Sequence, residues 1–470
     1  MHFVKTLNRC NEDVSNFVIG YFGDARLMKT GALLFKRLSQ GTQTKLKALG
    51  QIRAFEVSLG RFLRNGRVTR EEIMQHALEK TKAASSGRHV LLIQDTSEFN
   101  FPSQAQKKAN FGRASNETKG FFLHHGLAVD AKTSAVLGLG SAKIWMRGEE
   151  HVKKQRNQKE ISEKESFRWI KTSNEAIKQL EGFNKITIVA DREADIYELF
   201  AQVPKENVNV LIRMSHNRIL ESNLRIREVL KEKKPRGTYE IELPPISGVR
   251  KKRKAEIELR SCQITLRRPQ GLKSKNAPKN ISINVLQALE TRISANSAEK
   301  PIEWILLTTL PITRITDIKN VVCYYKKRWI IEQVFRTMKK KGFQIDQSQI
   351  IQPEKLLKLA LLTLLVATKV LQLVQARDGT TKQNAEVVFE KEQIEFMQIL
   401  QKKLEGKTAK QKNPHRIKSL AWASWIIARQ GGWNGYASES PPGPITMRRG
   451  LEKFSEVFYG WCLRKDMCIG

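Results

Sequence analysis

The chain has 470 residues, with 83 Lys and Arg against 47 Asp and Glu, a formal charge of +36 spread along its whole length. Such a field calls for a polyanion, nucleic acid by default, because each neutralised phosphate releases counterions whatever the sequence; a membrane surface is met by local basic amphipathic segments, and no membrane partner is expected. Five cysteines, at 10, 262, 323, 462 and 468, lack the paired C-x-x-C spacing of a zinc site, which argues for a reducing cytoplasm and against structural zinc.

The opening residues lack the continuous apolar core of a signal peptide, so export is not expected. The length suggests two or three domains. Residues 1–75 read as a basic helical bundle that either binds DNA or forms a solvated cap. GDARLMKTGALLFKRLSQ turns Leu27, Leu33, Leu34 and Leu38 toward a core and Arg26, Lys29, Lys36 and Arg37 largely outward; RAFEVSLGRFLRNGRV adds Arg53, Arg61, Arg64 and Arg67. TKAASSGR, residues 81–88, has the composition of a linker or loop.

From His89 the pattern changes to strands. HVLLIQD ends in Asp95, and KGFFLHHGLAVD and SAVLGLGSAKIWM follow as a second and third strand. After a charged helical stretch at about 152–182, NKITIVAD is a strand ending in Asp191, READIYELFAQV a helix and VNVLIRMS another strand. Three strands, then helix, strand, helix and strand predict an α/β sheet of mixed direction. Between about 220 and 310, TYEIEL, AEIELRSCQITL and NISINVLQAL alternate as strands; the charged run VRKKRKAE between two of them is either a solvated loop or a nucleic-acid contact. WILLTTLP, opening at Trp304, is the last strand.

YYKKRWIIEQVFRTMKKKG, residues 324–342, is predicted helical, and its single carboxylate, Glu332, stands among basic residues. At about 100° per residue, Tyr325, Arg328, Glu332 and Lys339 fall within a sector of roughly 60°, beside an apolar stripe of Cys323, Ile330, Ile331, Val334, Phe335 and Met338. Two readings fit. One is a surface ion network with Glu332 bridging Arg328 and Arg336; the other is a carboxylate that binds a divalent metal while the arginine, lysine and tyrosine hold phosphate oxygens beside it. LLKLALLTLLVATKVLQLV, residues 356–374, reads as a buried helix, because Lys358 and Lys369 interrupt it short of the roughly 18 apolar residues of a membrane span. ARDGTTKQN is a linker, and residues 384–470 are mostly helical.

Asp95 and Asp191, taken singly, are turn or helix-capping residues. Together with Glu332 on a later helix they are the residue types that hard divalent cations such as Mg²⁺ require. In a ribonuclease-H-like arrangement the first strand and a strand after the third lie side by side, and a helix packed on the sheet adds the third carboxylate. Two metals about 3.5–4 Å apart then activate a water or a 3′-hydroxyl and stabilise the leaving oxygen.

The pattern Tyr325-x-x-Arg328-x-x-x-Glu332-x-x-x-x-x-x-Lys339 resembles the signature of the insertion-sequence-four family of DDE transposases. LLIQDTSEFNF around Asp95 and IVADREADIYELF around Asp191 resemble that family's other acidic motifs, and GDARL at 23–27 and RFLRN at 61–65 its end-recognition domain. The resemblance covers nearly the whole chain. It implies a helical end-binding domain at 1–75, with Arg26, Arg61 and Arg64 on DNA; a ribonuclease-H-like catalytic domain at 85–376 with a β-rich insertion at about 220–310; and a helical dimerisation region at 384–470.

By the same resemblance Asp95, Asp191 and Glu332 bind two Mg²⁺ ions, for which Mn²⁺ substitutes. Tyr325, Arg328, Lys339 and Arg213 hold phosphate, and Trp304 stacks on a base expelled during hairpin formation. Glu98, Glu193 and Asp195 are nearby competitors for the ligand positions. The implied activity is cut-and-paste transposition through a DNA hairpin, by a homodimer on paired inverted repeats that joins them to target DNA, in a bacterial cytoplasm close to the nucleoid. A nuclease of the same fold, and a DNA-binding protein that keeps the fold without the chemistry, are the alternatives.

Overall fold

The structure, a computed structural model, describes residues 19–40, 44–50, 52–101, 108, 110–114, 118–148, 159–243, 253–273, 277–291, 301–339, 342–436 and 438–468. Among the described residues three helices come first, α1 (Ala25–Gln40), α2 (Leu46–Gly50) and α3 (Arg53–Arg64), with Leu34, Leu38, Leu59, Phe62 and Leu63 turned inward. Arg26, Arg61 and Arg64 stay exposed. Lys36 and Arg37 do not face water as the sequence suggested: the ammonium of Lys36 lies 4.2 Å from the centroid of Tyr459, because α1 buries a second face against the last helix.

The helix α4 (Arg70–Ser85), capped by the Thr69 side chain on the amide of Glu72, runs through most of the expected linker. Thr81 and Ser85 are buried there. A Cβ on Gly138 would strike Thr81, so this close approach of helix to sheet needs glycine. Gly87, at φ +66, turns the chain into the first strand.

Nine strands form one sheet in the order β3-β2-β1-β4-β5-β9-β8-β7-β6. They are β1 (His89–Asn100), β2 (Gly120–Asp130), β3 (Val136–Trp145), β4 (Lys185–Ala190), β5 (Val208–Arg213), β6 (Gly237–Leu243), β7 (Arg253–Arg267), β8 (Asn280–Glu290) and β9 (Glu303–Thr308). The neighbours β1, β4 and β5 are parallel; every other pairing is antiparallel. The β-rich stretch is therefore no separate body. Strand β9 pairs with β5 and carries the same sheet onward. Of the VRKKRKAE run, residues 249–252 lie outside the described residues.

Successive side chains of β1 point to opposite faces. Leu91 and Ile93 enter one core and Val90 and Leu92 the other. On the second face lie α5 (Phe167–Gln179), α6 (Tyr197–Gln202) and α7 (Ile226–Glu232). The first face is covered by α8 (Ile315–Lys326), α9 (Ile330–Met338) and α10 (Pro353–Ala376), whose apolar side chains complete the larger core. By length and composition α10 could cross a membrane, yet it lies almost wholly buried inside the protein, with the Lys358 ammonium donating to the carbonyl of Asn65 at 3.0 Å. Helices α11 (Lys391–Leu404), α12 (Leu420–Gln430) and α13 (Pro444–Cys468) form a third apolar cluster with its end.

Candidate active site

The parallel register pairs Ile93 with Val189, so two residues further on Asp95 stands level with Asp191 on the adjoining chain. Asp95 does not end its strand, contrary to the sequence reading. Pairing with β4 stops at Ile93, whereas pairing with β2 continues to Asn100. Asp95 thus sits where one neighbour leaves the sheet and the other stays, an opening with a rigid floor. Asp191 follows β4 and accepts the amide of Glu193 at 3.0 Å, capping a short 3-10 turn.

The predicted helix at 324–342 is broken. A 3-10 turn, Lys327–Trp329, separates α8 from α9, and Lys339 lies past the end of α9 in extended conformation. The constant-angle sector therefore fails as geometry, although the residues it grouped still converge. Arg328, almost buried, donates to Glu332 at 2.9 Å and lies 3.5 Å from Asp95; Glu332 is 41% exposed. Arg336 is exposed, so the described ion pair of Glu332 runs to the site and not along the surface. The Lys339 ammonium lies 5.0 Å from the centroid of Phe99, further along β1 on the Asp95 face. Beside it Gly342 donates to the Lys339 carbonyl and Phe343 to that of Thr337, and a Cβ on Gly342 would strike Thr337.

Burial lifts the Asp95 carboxyl to about 7, with the Asp191 charge adding to the rise and Arg328 opposing it. Burial works against the charge of Arg328, but Tyr325, Asp95 and Glu332 together outweigh it and raise its pKa. Burial likewise raises the pKa of the Tyr325 hydroxyl, against the pull of Arg328 and Arg213. Arg213, the last residue of β5, donates to the carbonyl of Glu303 at 3.2 Å. Trp304 lies half-buried with its ring edge-on to Tyr325, centroids 5.5 Å apart.

The three competing acids separate cleanly. Asp195 is sealed, accepting from the amides of Ser215 and His216 and from Arg218 with no side-chain exposure. Glu193 is 61% exposed and pairs with Arg168 at 2.6 Å. Glu98 lies on β1 beyond Asp95, close enough to draw the charge of Lys339. The sequence reading missed Trp329, 56% exposed with the Arg328 guanidinium 4.8 Å from its ring centroid. An aromatic next to the motif arginine was the available signal.

Residues 163–368 match the family model of the transposase DDE domain. The chain is an enzyme with a DDE transposase domain. The match takes in Asp191 and Glu332 and begins after Asp95. A cryo-EM structure of the piggyBac transposase synaptic complex with hairpin DNA aligns over 97% of this chain and 77% of that one at 11% identity; its TM-score of 0.35 is too low to define a shared fold.

Enzymes with this domain depend on divalent metal ions. Among the described residues no three His, Cys, Asp or Glu side chains stand close enough to hold one, since the Arg328 guanidinium lies between Asp95 and Glu332. The donors nevertheless fit. They are hard carboxylate oxygens, and two of them, on Asp95 and Glu332, already flank the cation of Arg328.

Proposed function

We propose that this DDE enzyme is a cut-and-paste transposase of the insertion-sequence-four type, with Asp95, Asp191 and Glu332 as ligands of two Mg²⁺ ions. The observation that carries the reading is the juxtaposition just described: Asp95 and Asp191 level on parallel chains, and Glu332 drawn to the same opening through Arg328. The order β3-β2-β1-β4-β5, with β1, β4 and β5 parallel, supports a ribonuclease-H-like core within the larger sheet.

Bound divalent ions supply Lewis-acid stabilisation of the attacking and leaving oxygens at phosphorus. The chain's own residues do the rest. Arg328 turns from the carboxylates to a phosphate of the cut strand, a bidentate exchange that suits a guanidinium. Tyr325, Arg213 and Lys339 hold neighbouring phosphates. Water cuts one strand, the freed 3′-hydroxyl attacks the other to close a hairpin, a second water reopens it, and the same 3′-hydroxyl joins target DNA. A hairpin forces a base from the stack, which an aromatic plane stabilises; Trp304, against Tyr325, and Trp329, within the motif, are the two candidates for that plane.

Arg26, Arg61 and Arg64 are exposed on one basic helical region and bind the inverted repeats, while residues 384–470 pair two subunits on two ends. The enzyme works in the cytoplasm, beside the nucleoid. The deciding experiment incubates the protein with Mg²⁺ and labelled DNA bearing the repeats that flank its gene, beside Glu332→Ala. Nicked and hairpin products from the wild type alone support the reading. Cleavage without hairpins makes the protein a nuclease, and binding without cleavage under conditions that pair the ends makes it a DNA-binding protein only.

A further inference from the structure

Behind the two aspartates, on the face of the sheet away from Glu332, one arginine grips the residue next to Asp95 and the residue two beyond Asp191. Asp95 faces α9; its neighbour Thr96, by the alternation of the strand, faces α5. From the first turn of α5, Arg168 donates through Nε to Thr96 Oγ1 at 3.1 Å and through Nη2 to Glu193 Oε2 at 2.6 Å. The amide of Thr96 donates to Asp95 Oδ1 at 2.8 Å, and the amide of Glu193 to Asp191 Oδ1 at 3.0 Å. We propose that Arg168 is a positioning residue for the transposase reaction, a clamp that sets the separation of Asp95 and Asp191; this rests on the reading of those two as metal ligands.

The hydrogen bonds around the clamp close without a free choice. Thr172 Oγ1 donates to the carbonyl of Arg168 at 2.6 Å, so toward His124 Nε2, 3.0 Å away, it accepts. The buried His124 is held neutral by desolvation, and its proton is therefore on Nε2. Its Nδ1 accepts from the Thr96 hydroxyl at 2.9 Å, leaving the Thr96 oxygen to accept from Arg168. The guanidinium is further fixed by the Glu165 carbonyl at 3.2 Å and by the rings of Trp169 and Trp145, 5.3 and 5.8 Å away. A planar fork with several donors spans two acceptors; a lysine ammonium has one point of attachment. Sites of this kind tolerate little displacement of their ligands.

The test uses the full-length protein and reads Mn²⁺ binding from the electron paramagnetic resonance signal of free ion, in Arg168→Lys, Glu193→Gln, the double variant and Asp191→Asn. Glu193 is exposed, so Glu193→Gln keeps the fold even if changes at Arg168 disturb it; thermal midpoints and metal-free DNA affinity check this. The clamp predicts half-saturation at roughly tenfold or more Mn²⁺ in Arg168→Lys and in Glu193→Gln, the range of ligand-orienting groups, with the double variant no weaker than either. Wild-type binding in both single variants overturns the clamp, provided that Asp191→Asn loses its Mn²⁺. Weak binding in Glu193→Gln with wild-type binding in Arg168→Lys makes Glu193 itself a ligand and also overturns it. Retained Mn²⁺ in Asp191→Asn removes the metal-site reading, and the clamp with it.

Discussion

Asp191 and Asp195 stand four residues apart in one short motif, and the fold uses them in opposite ways. Asp195 is fully buried and saturated: two amides and the Arg218 guanidinium occupy its carboxylate, and Arg218 also holds its carbonyl at 2.8 Å. Asp191 gives one oxygen to the Glu193 amide and remains partly open beside Asp95. A carboxylate whose lone pairs are filled by fixed donors is part of the scaffold. One with lone pairs to spare, in an opening shared with other acids, is available for chemistry.

The comparison breaks if exchanging the two roles does not exchange the two phenotypes. Asp191→Asn and Glu332→Ala are expected to reduce strand cleavage by on the order of a thousandfold or more, through loss of several kcal/mol of charge stabilisation, with the thermal midpoint nearly unchanged. Removal of the divalent ion by a chelator should match them. Asp195→Ala leaves Arg218 buried without its partner, which costs about 3–5 kcal/mol of stability. Its signature is a lowered denaturation midpoint. Equal thermal losses in the Asp191 and Asp195 variants would show that both acids are structural.

A second pair sharpens the same contrast at smaller magnitude. Trp304, in the sheet, is braced against Tyr325 of α8, whereas Trp329 is 56% exposed with Arg328 over its ring. If the open aromatic is the one that receives a base, Trp329→Ala lowers hairpin formation by about 1–3 kcal/mol of stacking and spares the first nick. Trp304→Ala then lowers stability more than it alters the ratio of hairpin to nick. The reverse distribution on denaturing gels would return the role to Trp304.

Much of this was legible in the sequence. Among the described residues every strand stood out, because β alternation and apolar runs are local signals, although β1 runs on past Asp95 to Asn100. The broken helix at 327–329 was not, since a 3-10 turn leaves the apolar spacing almost intact while changing the angle at which Arg328 projects. The continuation of the sheet through β9 depends on pairing between residues about 95 apart in the chain, as Leu211 with Thr308. Arg168 carries no periodic signature at all: its partners Thr96 and Glu193 lie 72 and 25 residues away, and only the fold unites them. Lys36 misled for a related reason, because the helix that covers it comes more than 400 residues later.

The smallest effect lies at the other end of β1 and concerns pH. His89 bonds Thr187 Oγ1 at 2.9 Å and packs edge-on against Tyr324. Burial, aided by the charges of Lys185 and Lys327 and opposed by Asp130, lowers its pKa from 6.5 to about 4. A base whose folded pKa is depressed binds fewer protons than the unfolded chain between those two values, so stability falls as pH drops from about 6.5 toward 4 and levels off below. His89 is partly exposed, and solvent screening reduces its share to on the order of 1–2 kcal/mol. His89→Gln keeps a hydrogen-bonding group that does not titrate, so its unfolding free energy should decline less than that of the wild type between pH 7 and 4.5. Parallel curves would mean that His89 takes up its proton in the fold, leaving acid sensitivity to the carboxylates. A half-buried histidine away from the site then differs from the open acids: its titration is read in stability, and that of the site in cleavage.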